Sequence, residues 1–532
     1  AVMALFYLGE RLWGLPFVPF DRFDWLARTL PGDLVTTGID GVVTVVERLN
    51  LGATDTASKT IEQLLALALT LLIGLGLGAV IGAITARMRT GYGWLVGLIA
   101  GLILFVIMAA IELNNRLSGA ATALLWLALL YGAWGTLLGH WLNDRTPVTK
   151  TDAVGHRVLL QPERRNLLWR VAGGSLAVAV GGWAIGRYLG PDHTGASGAG
   201  QPLASAPTTA SPTATPATTT VAQTPGATPT LTMREQIAPA PGTRPEITAN
   251  ENFYRIDINT RPPVIERASW ELTVAGLFDH TDPLTLDDLM AMPAVTQPIT
   301  LSCISNRIGG DLISASEWTG VRLRDLLEEL GLQAEAQELA MEAVDGFYES
   351  VSMRDMMDPR TLLVYGMNGE TLPVAHGFPL RIYIPNRYGM KQPKWITRIE
   401  AIAGEGEGYW VERNWSKEAR PHVISIIDTV ATDQPTAEGA IPIGGIAWAG
   451  DRGIQQVEVQ IDEEPWQGAL LRTPPLSPLI WVQWRYDWPT PSAGQHTVRV
   501  RAVDGTGTQQ IGEESGVRPD GATGYHEVAV TI

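Results

Sequence analysis

A single cysteine stands among the 532 residues of the chain, at the centre of the stretch Leu301–Asn306 (Leu-Ser-Cys-Ile-Ser-Asn). A lone thiol cannot form an intrachain disulfide, which leaves two interpretations of Cys303 open. It is either a small buried hydrophobe, as most free cysteines are, or a thiolate ligand to a soft transition metal, presented where a strand ends. The rest of the sequence has to decide between them.

A second group of residues with chemical potential lies further along the chain. His376 and Arg381 stand five apart in an apolar stretch that is flanked by prolines. A lone histidine near a strand is usually structural, whereas arginine makes charge-assisted, often bidentate contacts to phosphate. Lys391 and Lys394 follow on a Gly-containing loop, which is either a solvated basic loop or part of an anion site.

Length and composition divide the chain into regions. For 532 residues we expect three or more domains. Residues 1–190 hold long apolar runs, residues 191–245 are rich in Pro, Thr, Ala, Ser and Gly, and the remainder has the composition of a soluble protein. The formal net charge of -16 argues against nucleic acid as a partner, because phosphate binding needs clustered Lys and Arg.

Four apolar runs are each long enough to cross a bilayer, which takes about 20 residues. They are approximately Ile61–Ala86, Gly91–Ile111, Ala120–Leu142 and Leu167–Leu189. Residues 1–20 resemble the rest of a further span, and the absence of an initial Met is consistent with a truncated N-terminus. We therefore expect a membrane anchor of four to five transmembrane helices. The shorter, partly acidic stretch Pro31–Leu49 favours an interfacial segment instead.

Positive residues are unevenly distributed between the connections. One short connection contains Arg87 and Arg89, whereas the next loop, Glu112–Ser118, has only Arg116. The connection after it holds Arg145, Lys150, Arg157, Arg164 and Arg165. Because Lys and Arg accumulate in cytoplasmic loops, both basic connections should be cytoplasmic. Everything after Leu189 is then expected on the extracytoplasmic side.

Glycines recur four residues apart within the apolar runs. They are Gly74/Gly78/Gly82, Gly93/Gly97/Gly101, Gly135/Gly139 and Gly182/Gly186. This spacing either lets helix backbones approach closely or reflects a composition rich in Gly and Ala. No charge lies in the middle of a span, so we do not expect an ion pathway.

Residues 191–245 are predicted to be a disordered linker. No charged residue occurs from Thr194 to Met233, and such a segment cannot bury enough apolar surface to order itself. A coil of about 45 residues has a root-mean-square span of roughly 35–40 Å. The soluble part could therefore sit some distance from the bilayer.

The chain from Glu246 onward mixes α and β patterns and then becomes all-β. Predicted elements are a strand at Trp270–Val274, a helix over Leu286–Met290 begun by Thr285, a strand at Ile299–Cys303, a helix at Leu323–Leu330, a hairpin at Asn368-Gly369, and strands at Leu380–Pro385 and Trp395–Ile402. From about Ser425 the alternating runs Val457–Ile461, Thr497–Val503 and Glu527–Ile532 fit a β-sandwich.

Seven stretches in this part carry a family resemblance. They are Asn250–Arg255, Leu301–Asn306, Gly309–Asp311, Trp318–Val321, Asp345–Phe347, His376–Arg381 and Tyr388–Trp395. From about Thr248 to its end the chain resembles the sulfite oxidase family of molybdopterin-dependent oxidoreductases. It especially resembles bacterial members that share features with the periplasmic methionine-sulfoxide reductase catalytic subunit. The stretch Ala447–Gly453 resembles part of the family's immunoglobulin-like dimerisation domain.

This resemblance completes the expected fold, which is multi-domain. An all-α transmembrane bundle (1–190) and the linker (191–245) precede an α+β sulfite-oxidase-like molybdopterin domain (246–424) and an all-β immunoglobulin-like sandwich (425–532). The implied cofactor is molybdenum-molybdopterin, with two metal ligands from the pterin dithiolene and one from Cys303. A soft thiolate suits such a centre, and an open metal position lets an oxygen atom transfer. The interpretation of Cys303 as a metal ligand is thereby favoured.

Further cofactor contacts are implied by the same resemblance. His376 and Arg381 match residues that contact the pterin and its phosphate. Gln392 and Lys394 match positions that close over that phosphate. Asp345 matches a carboxylate that accepts a hydrogen bond from a pterin N–H, a role for which an acceptor-only group is suited. The family's N-terminal cofactor-contact segment is matched by Asn250, Asn252 and Tyr254.

Arg255 falls where sulfite oxidases carry a substrate-binding arginine beside the metal, so it is also a candidate catalytic residue. Two positions depart from the family pattern. A second substrate arginine, five residues after the cysteine, is replaced by Ile308, and an active-site tyrosine of the animal enzymes is replaced by Trp415. A pocket with one fewer cation and one more indole can prefer a substrate other than sulfite.

The sequence thus predicts a membrane-tethered molybdopterin oxidoreductase that performs two-electron oxygen-atom transfer on a small oxyanion or S-oxide. Sulfite oxidation is the leading interpretation, and a reductase of S-oxides or N-oxides is the second. A non-catalytic extracytoplasmic binding protein is the third. Because no haem or flavin signature occurs, the electron partner should be an external carrier such as a cytochrome or a quinone-linked protein. A homodimer and contact with the lipid bilayer are also expected.

Overall fold

The computed structural model describes residues 2–85, 87, 92–115, 120–143, 149–151, 157–159, 197–203, 237–489 and 491–532. Residue contacts divide the chain into two compact units. The first comprises Ala1–Val45, Ala57–Gly195 and Ile258–Arg261, and the second comprises Val46–Thr56, Ala196–Asp257 and Pro262–Ile532.

The apolar N-terminal sequence forms helices. They are α1 (Val2–Trp13), α2 (Val18–Thr29), α3 (Gly32–Arg48), α4 (Thr54–Thr85), α5 (Gly93–Asn115) and α6 (Ala120–Asn143), followed by a small antiparallel pair, β1 (Thr149–Thr151) and β2 (Arg157–Leu159). Three helical stretches, Thr54–Thr85, Gly93–Leu113 and Ala121–Leu142, are long and apolar enough to cross a membrane. They coincide with three of the predicted apolar runs, and the fourth, Leu167–Leu189, lies outside the described residues. Exposed side chains such as Leu75 suit a lipid environment.

Residues 1–20, which are expected to be the rest of a further span, fall in α1 and the start of α2, and that expectation stays a prediction. Helices α1 and α2 have 12 residues each, fewer than the roughly 20 that a span requires. The break has a local cause, because Gly14 takes a left-handed φ of 61° directly after α1 and Pro16 follows it. Helix α3 occupies the stretch that was predicted to be interfacial, and its place at a membrane surface stays a prediction.

Helices α5 and α6 touch through their glycines. A Cβ atom added to Gly97 would lie 1.8 Å from the carbonyl oxygen of Gly135, and one added to Gly139 would lie 2.1 Å from that of Gly93. No side chain fits between these backbones, so the close-approach interpretation is confirmed for these two glycine rows. On α4, by contrast, an added Cβ at Gly74 would meet nothing within 4 Å.

The second unit is built mainly of strands. In chain order its elements are β3 (Glu271–Gly276), β4 (Leu284–Thr285), α7 (Leu286–Ala291), β5 (Ala294–Ser302), β6 (Ile313–Arg322), α8 (Leu323–Glu329), β7 (Glu338–Ala343), β8 (Tyr348–Ser352), α9 (Met353–Met356), β9 (Leu362–Met367), β10 (Glu370–Thr371), β11 (Arg381–Tyr383), β12 (Ile396–Ile402), β13 (Ile424–Val430), β14 (Ile441–Trp448), β15 (Ile454–Ile461), β16 (Gln467–Gly468), β17 (Leu470–Leu471), β18 (Val482–Trp488), β19 (Gln495–Asp504) and β20 (His526–Thr531). Short 3-10 turns lie at Asn250–Asn252, Val374–His376 and Gly389–Lys391.

Four sheets organise these strands. Strand order is β10-β9-β6-β5 in one sheet, with β11 also beside β9, and β4-β3-β12-β7-β8 in another. Strands β3 and β12 run parallel, and the chain between them passes through the other sheet. The C-terminal region forms the sheets β13-β14-β18-β17 and β16-β15-β19-β20. Their facing side chains, among them Ile443, Val459 and Val498, share one buried core. The C-terminal region is therefore β-rich, as predicted.

Local sequence signals account for several boundaries in the second unit. The Thr285 hydroxyl accepts a hydrogen bond from the Asp288 backbone N–H, and the Asp288 carboxylate accepts one from the Thr285 N–H, which caps α7 at both groups. Asn368 and Gly369 have left-handed φ values of 50° and 80° and join β9 to β10 as a two-residue hairpin. Both predictions are confirmed.

The predicted disorder of residues 191–245 is wrong for the part that the structure describes. Pro202 bridges to Glu370, and the Leu203 N–H donates to the Gly369 carbonyl, so residues 197–203 lie along β10. Further on, Ile237 and Ala240 are buried. Composition reflects only how much side-chain surface a segment can bury, whereas a free strand edge offers backbone hydrogen bonds to a segment of any composition. Residues 204–236 lie outside the described residues.

Candidate active site

Cys303 directly follows β5, at the end of a buried strand as the sequence predicts. Its N–H donates to the Leu312 carbonyl over 2.9 Å, and its carbonyl accepts from the Asn306 N–H over 3.1 Å. The Asn306 side-chain oxygen in turn accepts from the Leu312 N–H over 2.9 Å. These bonds close residues 303–312 into a loop between β5 and β6. The thiol therefore has a fixed position at the sheet edge.

The surroundings of the thiol disfavour its charged form in the protein alone. Burial raises the pKa of Cys303, while the Ser305 hydroxyl, 3.0 Å from Sγ, and the positive charge of Lys394 oppose that rise. A metal ion reverses this balance because a coordinating thiol is deprotonated. Among the described residues, no group of three or more His, Cys, Asp and Glu side chains could hold a metal ion.

Two cations of the predicted site lie side by side. Arg381, on β11, forms an isolated antiparallel bridge with Lys394. Both flank Gly377, where an added Cβ would lie 3.0 Å from the Arg381 Cβ and 3.2 Å from the Lys394 Cβ. Gly377 also has a left-handed φ of 114°. Both requirements explain a glycine next to His376.

Burial makes these cations costly. It lowers the pKa of Arg381 to about 10, and it lowers that of Lys394 to about 8. The Arg381 guanidinium lies 4.8 Å from the Trp318 ring centroid and donates to the His376 carbonyl over 3.1 Å. The Lys394 ammonium lies 4.4 Å from the Trp395 ring centroid. Two largely buried positive charges thus neighbour each other, an arrangement that suits an anion.

The Arg255 side chain joins this cation cluster. Its Nε donates to Asp257 over 2.7 Å, and the Lys394 ammonium lies 3.4 Å from the same carboxylate. The Asp257 side chain is only 1% exposed, so it is a buried acceptor shared by two cations. Arg255, Arg381, Asp257 and Asp345 all influence the pKa of Lys394. The structure thus brings together three cations and two carboxylates.

His376 is held neutral beside the cluster. Burial, with the charges of Lys394 and Arg381, lowers its pKa to about 3. Its Nε2 lies 3.1 Å from the Asn250 carbonyl oxygen, and its ring packs edge-on against Phe253 at 5.3 Å. A neutral imidazole can donate from one nitrogen and accept at the other. It is therefore suited to a heterocycle rather than to a second anion.

The N-terminal contact segment is brought to the same place. Asn250 accepts at its side-chain oxygen from the Asn368 amide over 2.8 Å, and the hairpin residue thereby fixes the turn Asn250–Asn252. Tyr254 is buried and stacks on Phe253 with a centroid distance of 5.5 Å. Burial raises the pKa of its phenol, and Cys303 also influences it, so the ring lies near the thiol. Asn252 is exposed.

The side chains of two predicted cofactor-binding residues, Asp345 and Gln392, form hydrogen bonds with backbone groups. Asp345 lies on the turn between β7 and β8, where its carboxylate accepts from the Phe347 N–H over 3.0 Å. The Gln392 amide donates to the carbonyls of Ile384 and Arg387 over 3.3 and 2.8 Å. Gln392 therefore holds the loop 384–387 in shape. Its side chain thus supports a loop of the site and is not part of the cation cluster.

A small cavity lies against Cys303. Arg307 and Tyr388 line it, whereas the described lining does not include Arg255 or Trp415. Trp415 packs instead beside Trp410, with ring centroids 6.3 Å apart. Tyr388 takes part in the cavity wall with its phenol oxygen accepting from the His422 N–H over 3.2 Å, and burial raises its pKa to about 12.

Sequence reasoning missed three residues of this site. Asp257 stands two residues after Arg255, on the same side of an extended segment, which is a signal that could have identified it. Tyr388 lies in a recognised stretch but had been assigned no role. Arg307 directly precedes Ile308, the position where a family arginine is replaced. A positively charged residue is therefore present one position before the expected one.

Comparisons with known proteins agree with this geometry. The family model described as the oxidoreductase molybdopterin binding domain matches residues 259–410. The mitochondrial sulfite oxidase of Drosophila melanogaster is 29% identical over 262 residues, which cover 41% of this chain and 45% of that protein. A putative protein-methionine-sulfoxide reductase subunit, YedZ1 of Azospira oryzae, is 31% identical and covers 31% of this chain and 61% of that protein.

A third relative is covered more fully. The uncharacterized oxidoreductase YuiH of Bacillus subtilis is 33% identical over 170 residues, which make up 32% of this chain and 83% of that protein. The matched segment of the chain spans about half the length of the fly sulfite oxidase. The resemblance therefore concerns the second unit, where the cation cluster and Cys303 lie.

Proposed function

Because the chain belongs to the sulfite oxidase family of molybdopterin-dependent oxidoreductases, we propose that it is a membrane-associated enzyme that transfers an oxygen atom in a two-electron reaction. The single observation that carries this proposal is the position of Cys303 at a sheet edge, within electrostatic range of the buried ammonium of Lys394. Oxidation of a small sulfur oxyanion such as sulfite is the first candidate. Reduction of S-oxides or N-oxides is the second, and the similarity to the putative methionine-sulfoxide reductase subunit favours it.

The residues around Cys303 fit a molybdopterin cofactor. Arg381 and Lys394 are buried with lowered pKa values, and an anionic phosphate would offset the cost of burying these charges. A metal that brings a dithiolene along needs few protein ligands, which suits a site with one thiol. The neutral His376 beside the cations suits a polar heterocycle. The donor set therefore accommodates both ends of the cofactor.

In this proposal each side chain has a separate task. Cys303 ligates molybdenum, and the bound cofactor supplies the two-electron redox change and the exchangeable oxygen. Arg381 and Lys394 hold the phosphate, while Asp257 fixes the orientation of Lys394 and Arg255. Asn250, Asn252, Tyr254, Asp345 and His376 surround the pterin, and Gln392 supports the loop beside it. Tyr388 and Arg307 face the substrate. With the guanidinium paired to Asp257, Arg255 serves the cofactor in this assignment.

The other regions have proposed roles as well. The three apolar helices, together with the predicted fourth span Leu167–Leu189, are proposed to tether the enzyme to a membrane, with both basic connections in the cytoplasm and the catalytic part outside. The two C-terminal sheets are proposed to form an immunoglobulin-like sandwich that supports a homodimer. Electrons are exchanged with an external carrier, such as a cytochrome or a quinone-linked protein. Domain boundaries at residues 245 and 424 belong to the same proposal.

A steady-state panel on the purified full chain tests the function. We expect near-stoichiometric molybdenum, together with turnover of sulfite plus ferricyanide or of methionine sulfoxide plus a reduced dye. The direction of turnover decides between the oxidase and the reductase. A protein that contains no molybdenum and turns over neither substrate would instead be a binding protein, and the proposal would fail.

The pKa of Lys394 predicts a pH dependence for phosphate binding. Because burial lowers that pKa to about 8, the ammonium is charged below pH 8 and loses its proton as the pH rises through that value. Calorimetric titration of cofactor-free protein with a phosphate monoester, whose second pKa is about 6, should therefore show weaker binding above pH 8. The K394Q variant should bind weakly at every pH. The exposed Lys417, changed to Gln, is a matched control and should leave the profile unchanged.

A further inference from the structure

A short segment from the N-terminal part of the chain belongs to the second unit. It is Val46–Thr56, which runs from the end of α3 into the start of α4. The Thr54 N–H donates to the Asp311 carboxylate over 2.9 Å, and the Asp55 carboxylate accepts from the Arg255 N–H over 2.7 Å. Asp311 lies in the loop that carries the thiol. Two adjacent residues of this segment therefore contact both that loop and the Arg255 stretch.

The Asp55 carboxylate is hydrogen-bonded at both oxygens. Its Oδ1 accepts from the Thr56 N–H over 2.6 Å and from the Thr56 hydroxyl over 3.1 Å, in the first turn of α4. Its Oδ2 accepts from the Arg255 N–H. A carboxylate in the first turn is stabilised by the positive end of the helix dipole, and an ionised acceptor makes a stronger hydrogen bond than a neutral one. The start of α4 thus fixes the group that holds the Arg255 main chain.

The main-chain position of Arg255 governs the cation cluster. One residue earlier, the Tyr254 N–H donates to the Ser314 hydroxyl over 3.2 Å, so two successive N–H groups have fixed partners. The Arg255 guanidinium pairs with Asp257, and the Lys394 ammonium shares that carboxylate. This stretch lies outside the helices and strands, so its path depends on such local bonds. A displaced Arg255 main chain would therefore displace Asp257, two residues on.

Asp55 also acts on the site through its charge. Burial raises the pKa of the Tyr254 phenol, and interactions with Cys303 and Asp55 add to that rise. The carboxylate is thus within electrostatic range of the phenol that lies near the thiol. The match of the family model begins at residue 259, so the family pattern assigns no role to Asp55.

We propose that Asp55 is a positioning residue of the active site. By holding the Arg255 main chain it keeps Asp257 in place, and Asp257 in turn orients the Lys394 ammonium for a bound phosphate. This inference rests on the proposed function, because the phosphate in question is that of the cofactor. The connection between α3 and α4 then contributes to cofactor binding, in addition to joining two helices.

Calorimetric titration of the cofactor-free full chain in detergent, with inorganic phosphate as the ligand, tests the proposal. The D55A variant should weaken the Kd by about 3–10-fold at pH 7, the range for the loss of one hydrogen bond. The D55N variant keeps an acceptor oxygen at the same place and should recover most of this loss. T56A removes a donor to the other carboxylate oxygen, so it is the matched control and should leave the Kd unchanged.

The pH profile of phosphate binding separates positioning from a general loss of stability. Burial lowers the pKa of Lys394 to about 8, and the charge of Asp257 opposes that lowering. Displacement of Asp257 in D55A should lower this pKa further, so phosphate binding should be lost at a lower pH than in the unaltered protein. A variant that only unfolds more easily would keep the same midpoint.

A double replacement tests whether Asp55 acts through Arg255. In the R255A background, D55A should weaken phosphate binding by a smaller factor than it does alone, because both changes affect the same cluster. Equal factors in the two backgrounds would mean that Asp55 acts independently of Arg255, and the proposal would fail.

The remaining outcomes are also decisive. An unchanged Kd and midpoint in D55A, an equal loss in T56A, or no phosphate binding by the unaltered protein would each overturn the proposal. If D55A does not fold, D55S gives the same measurement, since serine also begins helices but has one side-chain oxygen in place of two. A full chain that lacks molybdenum and turnover but shows the D55A effect would retain the positioning role and refute the oxygen-transfer function.

Discussion

Replacement of Cys303 by serine should give a folded protein that contains little molybdenum and has no oxygen-transfer activity. A serine hydroxyl fits the space of the thiol but is a harder, far less acidic ligand, and the chain has no other cysteine to substitute for it. Changes outside the ligand shell commonly cost about 10–100-fold in metal affinity, so loss of the ligand should cost more than about 100-fold. Elemental analysis and the assay panel measure both effects.

The neighbouring serine provides the matched control. Ser305 lies 3.0 Å from the Cys303 sulfur and replacing it with alanine leaves the thiol in place. The S305A variant should keep its molybdenum, and both variants should unfold at temperatures close to that of the unaltered protein. If C303S retained metal and turnover, Cys303 would not be the ligand, and its buried position would have a packing explanation.

Replacement of Lys391 by methionine should destabilise the second unit by about 3–5 kcal/mol, the cost of removing one partner from a buried ion pair. The Lys391 ammonium lies 2.5 Å from the Glu349 carboxylate and 3.2 Å from the Ser350 carbonyl, and both charged side chains are almost completely buried. Methionine fills the space of the lysine stem but leaves Glu349 without its cation. Denaturant unfolding of the full chain in detergent gives the change in free energy.

The loss should depend on pH in a defined direction. Burial raises the pKa of Glu349 to about 7, and the charge of Lys391 opposes that rise, so K391M should raise it further. A carboxyl with a raised folded-state pKa keeps a proton that the unfolded chain releases. The free energy of unfolding of K391M should therefore be closest to that of the unaltered protein near pH 5. The difference between the two should grow as the pH rises through 7.

A double replacement shows whether the unpaired carboxylate is the cause. With Glu349 changed to leucine and Lys391 to methionine, no charge remains buried, and such apolar exchanges of a buried pair are often neutral or stabilising. The double variant should thus be more stable than K391M. If the two variants were equally unstable, the lost stability would instead come from the packing of the lysine stem. Lys391 itself is a structural cation rather than part of a solvated loop.

Local chemistry made much of the second unit predictable. The Thr285 cap, the Asn368-Gly369 hairpin and the strand that ends at Cys303 each depend on residues that are adjacent in sequence. Their structures follow from hydrogen bonds and backbone preferences within a few residues. The position of the thiol could be derived for the same reason.

Long-range pairing was not predictable in this way. The direction of the Arg255 side chain depends on Asp257 and on Lys394, which comes from a segment more than a hundred residues later. The cavity wall depends equally on Ala522, which belongs to the C-terminal region. A family pattern assigns a role to a position, but the charge that faces a side chain comes from the folded chain. The pairing of Arg255 with Asp257 and the place of Arg307 in the cavity wall therefore follow from the folded chain.

The pairing of residues 197–203 with β10 has a practical consequence for truncated forms of the protein. Strand β10 is an edge strand, and its exposed backbone groups could otherwise pair with another molecule. A soluble version that starts after residue 203 would uncover this edge and invite self-association at high concentration. One that starts at about residue 196 would keep the chain's own cover in place.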